Sequence, residues 1–188
     1  WAPKHRYAAF LSHFKVEAAS DARYLYDMLR KMLREPIYLD SSALTDLRTL
    51  FEDGLDQSEV VVIICSAGVL SRPWCLLELL EAQRRAVPVV PVIISGIAGR
   101  EFDLSAMRRL IANLEGEMPA LNPYCLELLH EHCGDDLSEL QAALSAVLDK
   151  VESEHVEWNP HAGDAEIVLE VQEMVEHIAR CLLYTSPS

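Results

Sequence analysis

The sequence has little positive charge and no hydrophobic run of membrane-spanning length. Its 188 residues include 16 Lys and Arg against 30 Asp and Glu, so the formal net charge is -14. Nucleic-acid binders gain affinity when Lys and Arg displace the counterions of phosphates, and this charge balance argues against that class. The longest apolar runs, residues 60–65 and 87–94, fall far short of the roughly 20 residues that cross a bilayer, and no signal peptide is recognisable.

The cysteines do not form the regular framework of a disulfide-stapled protein. Their number is odd and their spacing irregular: Cys65, Cys75, Cys125, Cys133 and Cys181. The hydrophobic fraction of 51% excludes intrinsic disorder, and a chain of this length can bury a core without disulfides. We therefore expect a reduced, cytoplasmic protein with one folded domain over residues 7–182, flanked by tails at residues 1–6 and 183–188.

Strands and helices are predicted to alternate along the first half of the chain. Short apolar runs predict strands over residues 7–12, 37–39, 60–65 and 87–94. Helices are predicted to begin at Ser20 and Asp21 and to cover residues 47–55, with Gly54 as a modest penalty, and residues 74–85. Because Pro88 and Pro91 lack the N–H donors of a ladder, we expect the fourth strand to be irregular.

The second half of the chain is predicted to be mainly helical. Apolar stripes indicate helices over residues 107–114, 121–130 and 137–151, a strand over 155–158 and a last helix from Asp164. The order of elements predicts the α/β class, with a doubly wound parallel sheet, helices on both faces and extra helices in the second half.

A ligand of such a sheet binds beyond the carboxyl ends of the strands, where the strand order reverses. With the strand order 2-1-3-4-5, this crevice lies between the first and third strands. The residues that follow these strands, or the neighbouring second strand, are the candidate lining: Ser12, His13, Phe14, Lys15, Asp40, Ser41, Leu44 and residues 66–70.

The helix that follows the third strand carries Trp74 and Glu78 one turn apart, so they share a face. An indole can stack on a base, and a carboxylate can bind ribose hydroxyls or stabilise a cation. The structural alternative is a core Trp and a solvated Glu. Cys75 lies near the helix N-terminus, where a thiol pKa can fall, but without a neighbouring His a packed thiol is favoured.

The sequence lacks the motifs of several well-defined functional sites. Neither GxxxxGK[ST] nor GxGxxG occurs, which removes the two common nucleotide-phosphate loops. The predicted third strand ends in Ile64-Cys65-Ser66 rather than in the Asp of a phosphorelay receiver. The candidate metal ligands lack the paired spacing of zinc sites, so no metal is predicted: Cys125, His130, His132 and Cys133.

Three segments in order resemble those of a TIR (Toll/interleukin-1 receptor) domain, over roughly residues 7–182. Residues 9–13, AFLSH, are similar to the first-strand box of the family, and residues 37–41, IYLDS, to its second-strand box. Residues 66–79, SAGVLSRPWCLLEL, resemble the family segment that ends in W-C-x-x-E-L. This resemblance implies a flavodoxin-like sheet with the strand order 2-1-3-4-5.

The resemblance also implies an activity. In the enzymes of the family, a Glu four residues after the Trp is essential for cleaving the nicotinamide–ribose bond of NAD+, and Glu78 occupies that position. The implied protein is an NAD+ glycohydrolase or cyclase that uses NAD+ as substrate, needs no further cofactor and self-associates. The alternative is a TIR signalling scaffold that binds other TIR domains and performs no chemistry.

The resemblance suggests roles for the crevice residues around Glu78. Phe14 and Trp74 are candidates for base stacking, and Cys75, Ser12, His13, Ser41 and Leu44 complete the substrate-binding set. Lys15 either binds the diphosphate or is a solvated loop lysine, and Asp40 either orients the ribose or caps the next segment. Residues 41–44 lack the Gly and Pro that many family members carry in this loop.

Overall fold

The computed structural model describes residues 4–39 and 50–184. These residues form a five-stranded sheet in the order β2-β1-β3-β4-β5, and every strand pair is parallel. The strands are β1 (Ala9–Ser12), β2 (Ile37–Leu39), β3 (Val61–Cys65), β4 (Val89–Ile94) and β5 (Val156–Trp158). The predicted fold class and strand order are confirmed.

Helices cover both faces of this sheet. They are α1 (Lys15–Leu33), α2 (Pro73–Arg84), α3 (Leu104–Ala112), α4 (Leu114–Leu121), α5 (Cys125–Cys133), α6 (Ser138–Glu154) and α7 (Asp164–Tyr184). A π-helical segment (Leu50–Leu55) precedes β3, and a 3-10 turn (Val69–Ser71) follows it. Within the described residues, no helix combines the length and the apolar character that a membrane span requires.

The core consists of two layers because side chains alternate across the sheet. In β3, Val61 and Ile63 point to a layer that includes residues of α2 to α6, whereas Val62 and Ile64 point to a layer with α1 and α7. All five β3 residues are buried, as expected for a central strand of a parallel sheet.

Helix α1 begins at Lys15, earlier than the predicted start at Ser20 and Asp21. The carbonyl of Phe14 accepts hydrogen bonds from the N–H groups of Glu17 (3.0 Å) and Ala18 (2.9 Å), which forms a first turn. Ala18 has a non-helical φ of -133°, so a kink separates this turn from the rest of the helix. The apolar stripe that predicted the helix begins only after the kink, and the polar first turn gave no periodic signal.

The amphipathic helix predicted over residues 47–55 is helical in its described part, but as a π-helix and not as an α-helix. Residues 50–55 are π-helical, and residues 47–49 lie outside the described residues. Close packing explains the position of Gly54, since an added Cβ would lie 2.8 Å from Tyr38 Cε1 and 3.0 Å from Phe10 Cε2. The rings of Tyr38 and Phe10 stack on each other with centroids 5.3 Å apart.

The predicted irregularity of the fourth strand is also wrong. Val61 donates its N–H to the carbonyl of Pro88 (2.8 Å), and Ser95 donates to Trp158 (2.9 Å). Because backbone groups alternate in direction along a strand, the nitrogen of Pro91 points to the β5 side. The short strand β5 pairs only with the second half of β4, so Pro91 removes no donor from the ladder.

The helix predicted over residues 121–130 corresponds to α5, and the structure has a further helix, α4, that was not predicted. Helix α4 ends at Leu121 and α5 begins at Cys125, with Asn122 between them donating its backbone N–H to Met118. The other predicted elements of the second half are confirmed, including the short strand β5 and the last helix from Asp164.

Candidate functional site

The carboxylate of Glu78 is buried at the carboxyl edge of the sheet, where it meets Ser12. Glu78 is 6% exposed, and Ser12, the last residue of β1, is 1% exposed. The hydroxyl Oγ of Ser12 donates a hydrogen bond to Oε2 of Glu78. A buried carboxylate is costly unless hydrogen bonds stabilise its charge, so this contact explains how the group is tolerated there.

The sequence of α2 accounts for the position of Glu78. Pro73 occupies the first turn, where a missing N–H costs nothing, and fixes the start of the helix. The residues on either side of Glu78, Leu77 and Leu79, are both buried, because α2 lies between the sheet and the helices of the second half. Glu78 is therefore held inside an apolar helix rather than on a solvated face.

Cys75 lies one turn before Glu78 and is 1% exposed. Burial raises the pKa of its thiol well above the usual value, and the negative charge of Glu78 raises it further. The Ser12 hydroxyl and the Arg72 guanidinium act in the opposite direction without reversing the shift. The structure thus favours the packed thiol over a nucleophile, and it brings Cys75, Ser12 and Glu78 together.

Residues of two loops form the rim of this site. Phe14, which follows β1, is half-buried, and the guanidinium carbon of Arg72, just before α2, lies 5.8 Å from the centroid of its ring. Lys15 is exposed at the start of α1, while His13 and Trp74 are half-buried. Trp74 packs against the core layer of α2 to α6.

The predicted binding residues Asp40, Ser41 and Leu44 lie outside the described residues.

A second carboxylate joins the two loops that flank the β1–β3 crevice. Glu17, in the first turn of α1, accepts hydrogen bonds at Oε2 from Ser66 Oγ (2.5 Å) and from the backbone N–H of Gly68 (2.9 Å). A Cβ at Gly68 would lie 2.7 Å from Oε1 of Glu17, so a larger residue there would force this carboxylate to move. The early start of α1 is what places Glu17 at the crevice.

An ion pair extends the same set of contacts to the loop after β4. Arg100 Nη1 lies 2.8 Å from Oδ2 of Asp21, which is 7% exposed, and the Arg100 carbonyl accepts the N–H of Ala67 (3.2 Å). Sequence reasoning missed Glu17, Asp21, Arg72 and Arg100 as site residues. A correct start for α1 would have indicated Glu17, whereas nothing local in the sequence signals Arg100.

The described parts of the chain, residues 4–39 and 50–184, hold no group of three or more His, Cys, Asp or Glu side chains arranged for a metal ion. The polar groups of the site are instead one carboxylate held by a hydroxyl, with an aromatic ring and a guanidinium at its rim. Such a site can stabilise a developing positive charge while a ring and a cation contact other parts of a substrate.

Five parallel strands in this order between two helical layers define a flavodoxin-like α/β domain. Within that class, the chain has the fold of a TIR domain. Its structure is similar to the TIR domains of the activated Roq1 resistosome directly recognising the pathogen effector XopQ, with a TM-score of 0.59 and 20% sequence identity. The match covers 90% of this chain and 98% of that one. No known family profile matches the chain, and no curated protein shows significant similarity to it.

Proposed function

We propose that this protein cleaves NAD+ at the bond between nicotinamide and ribose, with Glu78 as the catalytic carboxylate. The observation that carries the proposal is the buried Glu78, held by Ser12 at the carboxyl edge of the sheet next to the reversal of strand order. Ligands of open parallel sheets bind at this edge. The TIR fold supports the proposal, because the resemblance to that family implies a Glu at this position that is essential in its NAD+-cleaving enzymes.

The proposed reaction needs a carboxylate to stabilise positive charge, but it does not need a general acid to protonate the leaving group. When the bond between C1′ and the pyridinium nitrogen breaks, both electrons go to the nitrogen, and nicotinamide leaves as a neutral base. The ribose is left as an oxocarbenium ion, which a nearby carboxylate stabilises, as in glycoside hydrolysis. Water then attacks C1′ and loses a proton to give ADP-ribose, or the adenine ring attacks to give a cyclic product.

The other residues of the site have separate roles in this proposal. Ser12 holds Oε2 of Glu78 and so fixes the carboxylate before the substrate arrives. The ring of Phe14 is placed to stack on a base, and Arg72 over that ring is placed to meet the diphosphate. Lys15, exposed at the start of α1, is a second cation for the diphosphate.

The test is the rate of nicotinamide release from NAD+ by the purified chain and its Glu78→Gln variant, with the product identified. Gln keeps a side-chain oxygen that can accept the Ser12 hydroxyl but removes the negative charge. We expect the rate to fall about 100- to 1,000-fold, the usual cost of losing a transition-state stabiliser. Glu127→Gln, an exposed glutamate on α5, makes the same change in net charge and should keep the wild-type rate.

A scaffold without chemistry is the second candidate, because the similar TIR domains belong to a resistosome. We propose that this chain also self-associates, either to complete its active crevice or to act as a scaffold alone. Sedimentation and nicotinamide release, both measured over a series of protein concentrations, separate the two. An enzyme activated by self-association gains specific activity as oligomers form, whereas a scaffold forms oligomers and releases no nicotinamide at any concentration.

A further inference from the structure

A cavity of 350 Å³ lies beside the first half of β4, near the amino edge of the sheet and so away from Ser12 and Glu78. Its wall consists of Pro88, Val90 and Pro91 on one side and of polar side chains from the C-terminal parts of α6 and α7 on the other. This volume is within the range of about 300–1,000 Å³ typical of pockets for small ligands.

The cavity follows from the mismatch in length between β4 and β5. The register pairs β5 with Val92, Ile93 and Ile94, so within residues 4–39 and 50–184 the first half of β4 has no strand beside it on that side. The nitrogen of Pro91 points to this open side and cannot donate, and proline is one way in which proteins prevent a further strand from joining an edge. Helices α6 and α7 therefore enclose a space that no strand fills.

Three nitrogen-bearing side chains line this space: Lys150 from α6, and His177 and Arg180 from α7. Of the lining residues that the structure describes, Glu154 alone is a carboxylate, and its Oε1 lies 3.4 Å from Nζ of Lys150 and partly neutralises it. Among the described residues, no hydrogen bond or ion pair engages Arg180. The lining thus has an excess of positive charge in a protein whose net charge is -14.

We propose that this cavity binds a small organic oxyanion, with its anionic group at Arg180 and His177 and its apolar body against Pro88, Val90 and Pro91. A guanidinium and an imidazole are suitable donors for a sulfonate, phosphate or carboxylate, and the proline and valine side chains offer an apolar surface. A bare ion would leave most of the space and the whole apolar wall without a contact. The site is separate from the NAD+ site proposed above and does not depend on it.

The titration of His177 gives the expected coupling between binding and pH. Burial lowers the pKa of His177 below 6.5, and the positive charges of Arg180 and Lys150 lower it further, against the opposite effects of Glu173 and Glu154. A bound anion favours the charged imidazolium, so binding raises this pKa and takes up a proton. Affinity for an anion of fixed charge should therefore increase as the pH falls.

The experiment is a titration of the isotope-labelled chain with benzenesulfonate, followed by NMR of the imidazole of His177. The sulfonate keeps its charge throughout the range in which imidazole titrates. We expect saturable shifts, a higher pKa for His177 in the complex and tighter binding at lower pH. Benzenesulfonamide, a neutral molecule of the same shape, and inorganic sulfate, which lacks the ring, should both bind more weakly.

Two variants with the same change in charge give the control. Arg180→Gln should weaken benzenesulfonate binding about tenfold or more, the effect of losing a charged hydrogen bond. Arg109→Gln, an exposed arginine on α3 outside the cavity, should leave it unchanged. Equal loss in both variants, or no saturable shift of His177, would overturn the proposal. Equal affinity for inorganic sulfate would overturn the assignment of an organic ligand.

Discussion

At the scale of single residues, one hydrogen bond defines the candidate active site. Glu78 is buried in an apolar helix, and the hydroxyl of Ser12 donates a hydrogen bond to its carboxylate. In the sequence, the spacing of Trp74 and Glu78 marked a candidate pair, and the resemblance to TIR domains assigned the catalytic role to Glu78. The sequence also predicted Ser12 as a lining residue, but its direct contact with Glu78 depends on β1 and α2 packing together and has no local signal.

The first prediction concerns Ser12→Ala, which removes the donor and leaves a methyl group beside the carboxylate. We expect kcat for nicotinamide release to fall about 10- to 100-fold, because a hydrogen bond to a charged group contributes about 1.5–3 kcal/mol. KM should change little, because Ser12 holds the carboxylate and not the substrate. Steady-state kinetics at several NAD+ concentrations separates the two constants.

Ser145→Ala is the control for that measurement, since Ser145 is exposed on α6 and its hydroxyl donates to the carbonyl of Gln141. It should keep the wild-type kcat. A folded Ser12→Ala variant with unchanged kcat would mean that the hydroxyl does not help catalysis.

At the scale of elements, the β-branched runs predicted the strands because a parallel sheet buries both faces of each strand. The bounds of β2 agree with the predicted residues 37–39. Elements whose form depends on distant contacts were not predictable in this way. The kinked start of α1, the π-helical segment at 50–55 and the regular strand through Pro91 depend on partners that lie far away in the sequence.

The π-helical segment gives a prediction about stability. Gly54→Ala adds a Cβ at 2.8 Å from the ring of Tyr38, closer than packed atoms tolerate, so that the ring or the segment must move. We expect the free energy of unfolding to fall by about 1–3 kcal/mol, the usual cost of overpacking. The measurement is equilibrium unfolding in urea.

Gly163→Ala is a matched control for this variant, because a Cβ at Gly163 would have no neighbour within 4 Å. It should change the free energy of unfolding by no more than about 0.5 kcal/mol. If both substitutions had the same effect, the close contact with Tyr38 would not be the reason for a glycine at position 54.

At the scale of the whole molecule, the negative net charge of the protein opposes the approach of NAD+. The net charge of -14 and the negative charge of NAD+ repel each other at long range, so cations at the rim such as Arg72 must offset that field. None of the five cysteines, all of which lie in the described residues, forms a disulfide, and the reduced state stays a prediction. Cytoplasmic location and the domain limits at residues 7 and 182 stay predictions.

The repulsion between the protein and NAD+ predicts how salt affects the kinetics. Added KCl screens charges that are farther apart than the Debye length, which is about 10 Å at 0.1 M. We expect the apparent KM for NAD+ to fall as KCl is raised from low concentration, because repulsion is screened more than the close contacts of the rim. A KM that rises with KCl would show that attraction at the rim dominates, contrary to this prediction.

The measurement that tests the central claim most directly is kcat for nicotinamide release at saturating NAD+, compared between Glu78→Gln and Glu127→Gln. Saturation removes differences in binding, and the two variants carry the same net charge. If the buried carboxylate stabilises the oxocarbenium ion, Glu78→Gln loses about 100- to 1,000-fold in kcat while Glu127→Gln matches the wild type. Equal kcat in a folded Glu78→Gln variant would contradict the assignment of Glu78 as the catalytic residue.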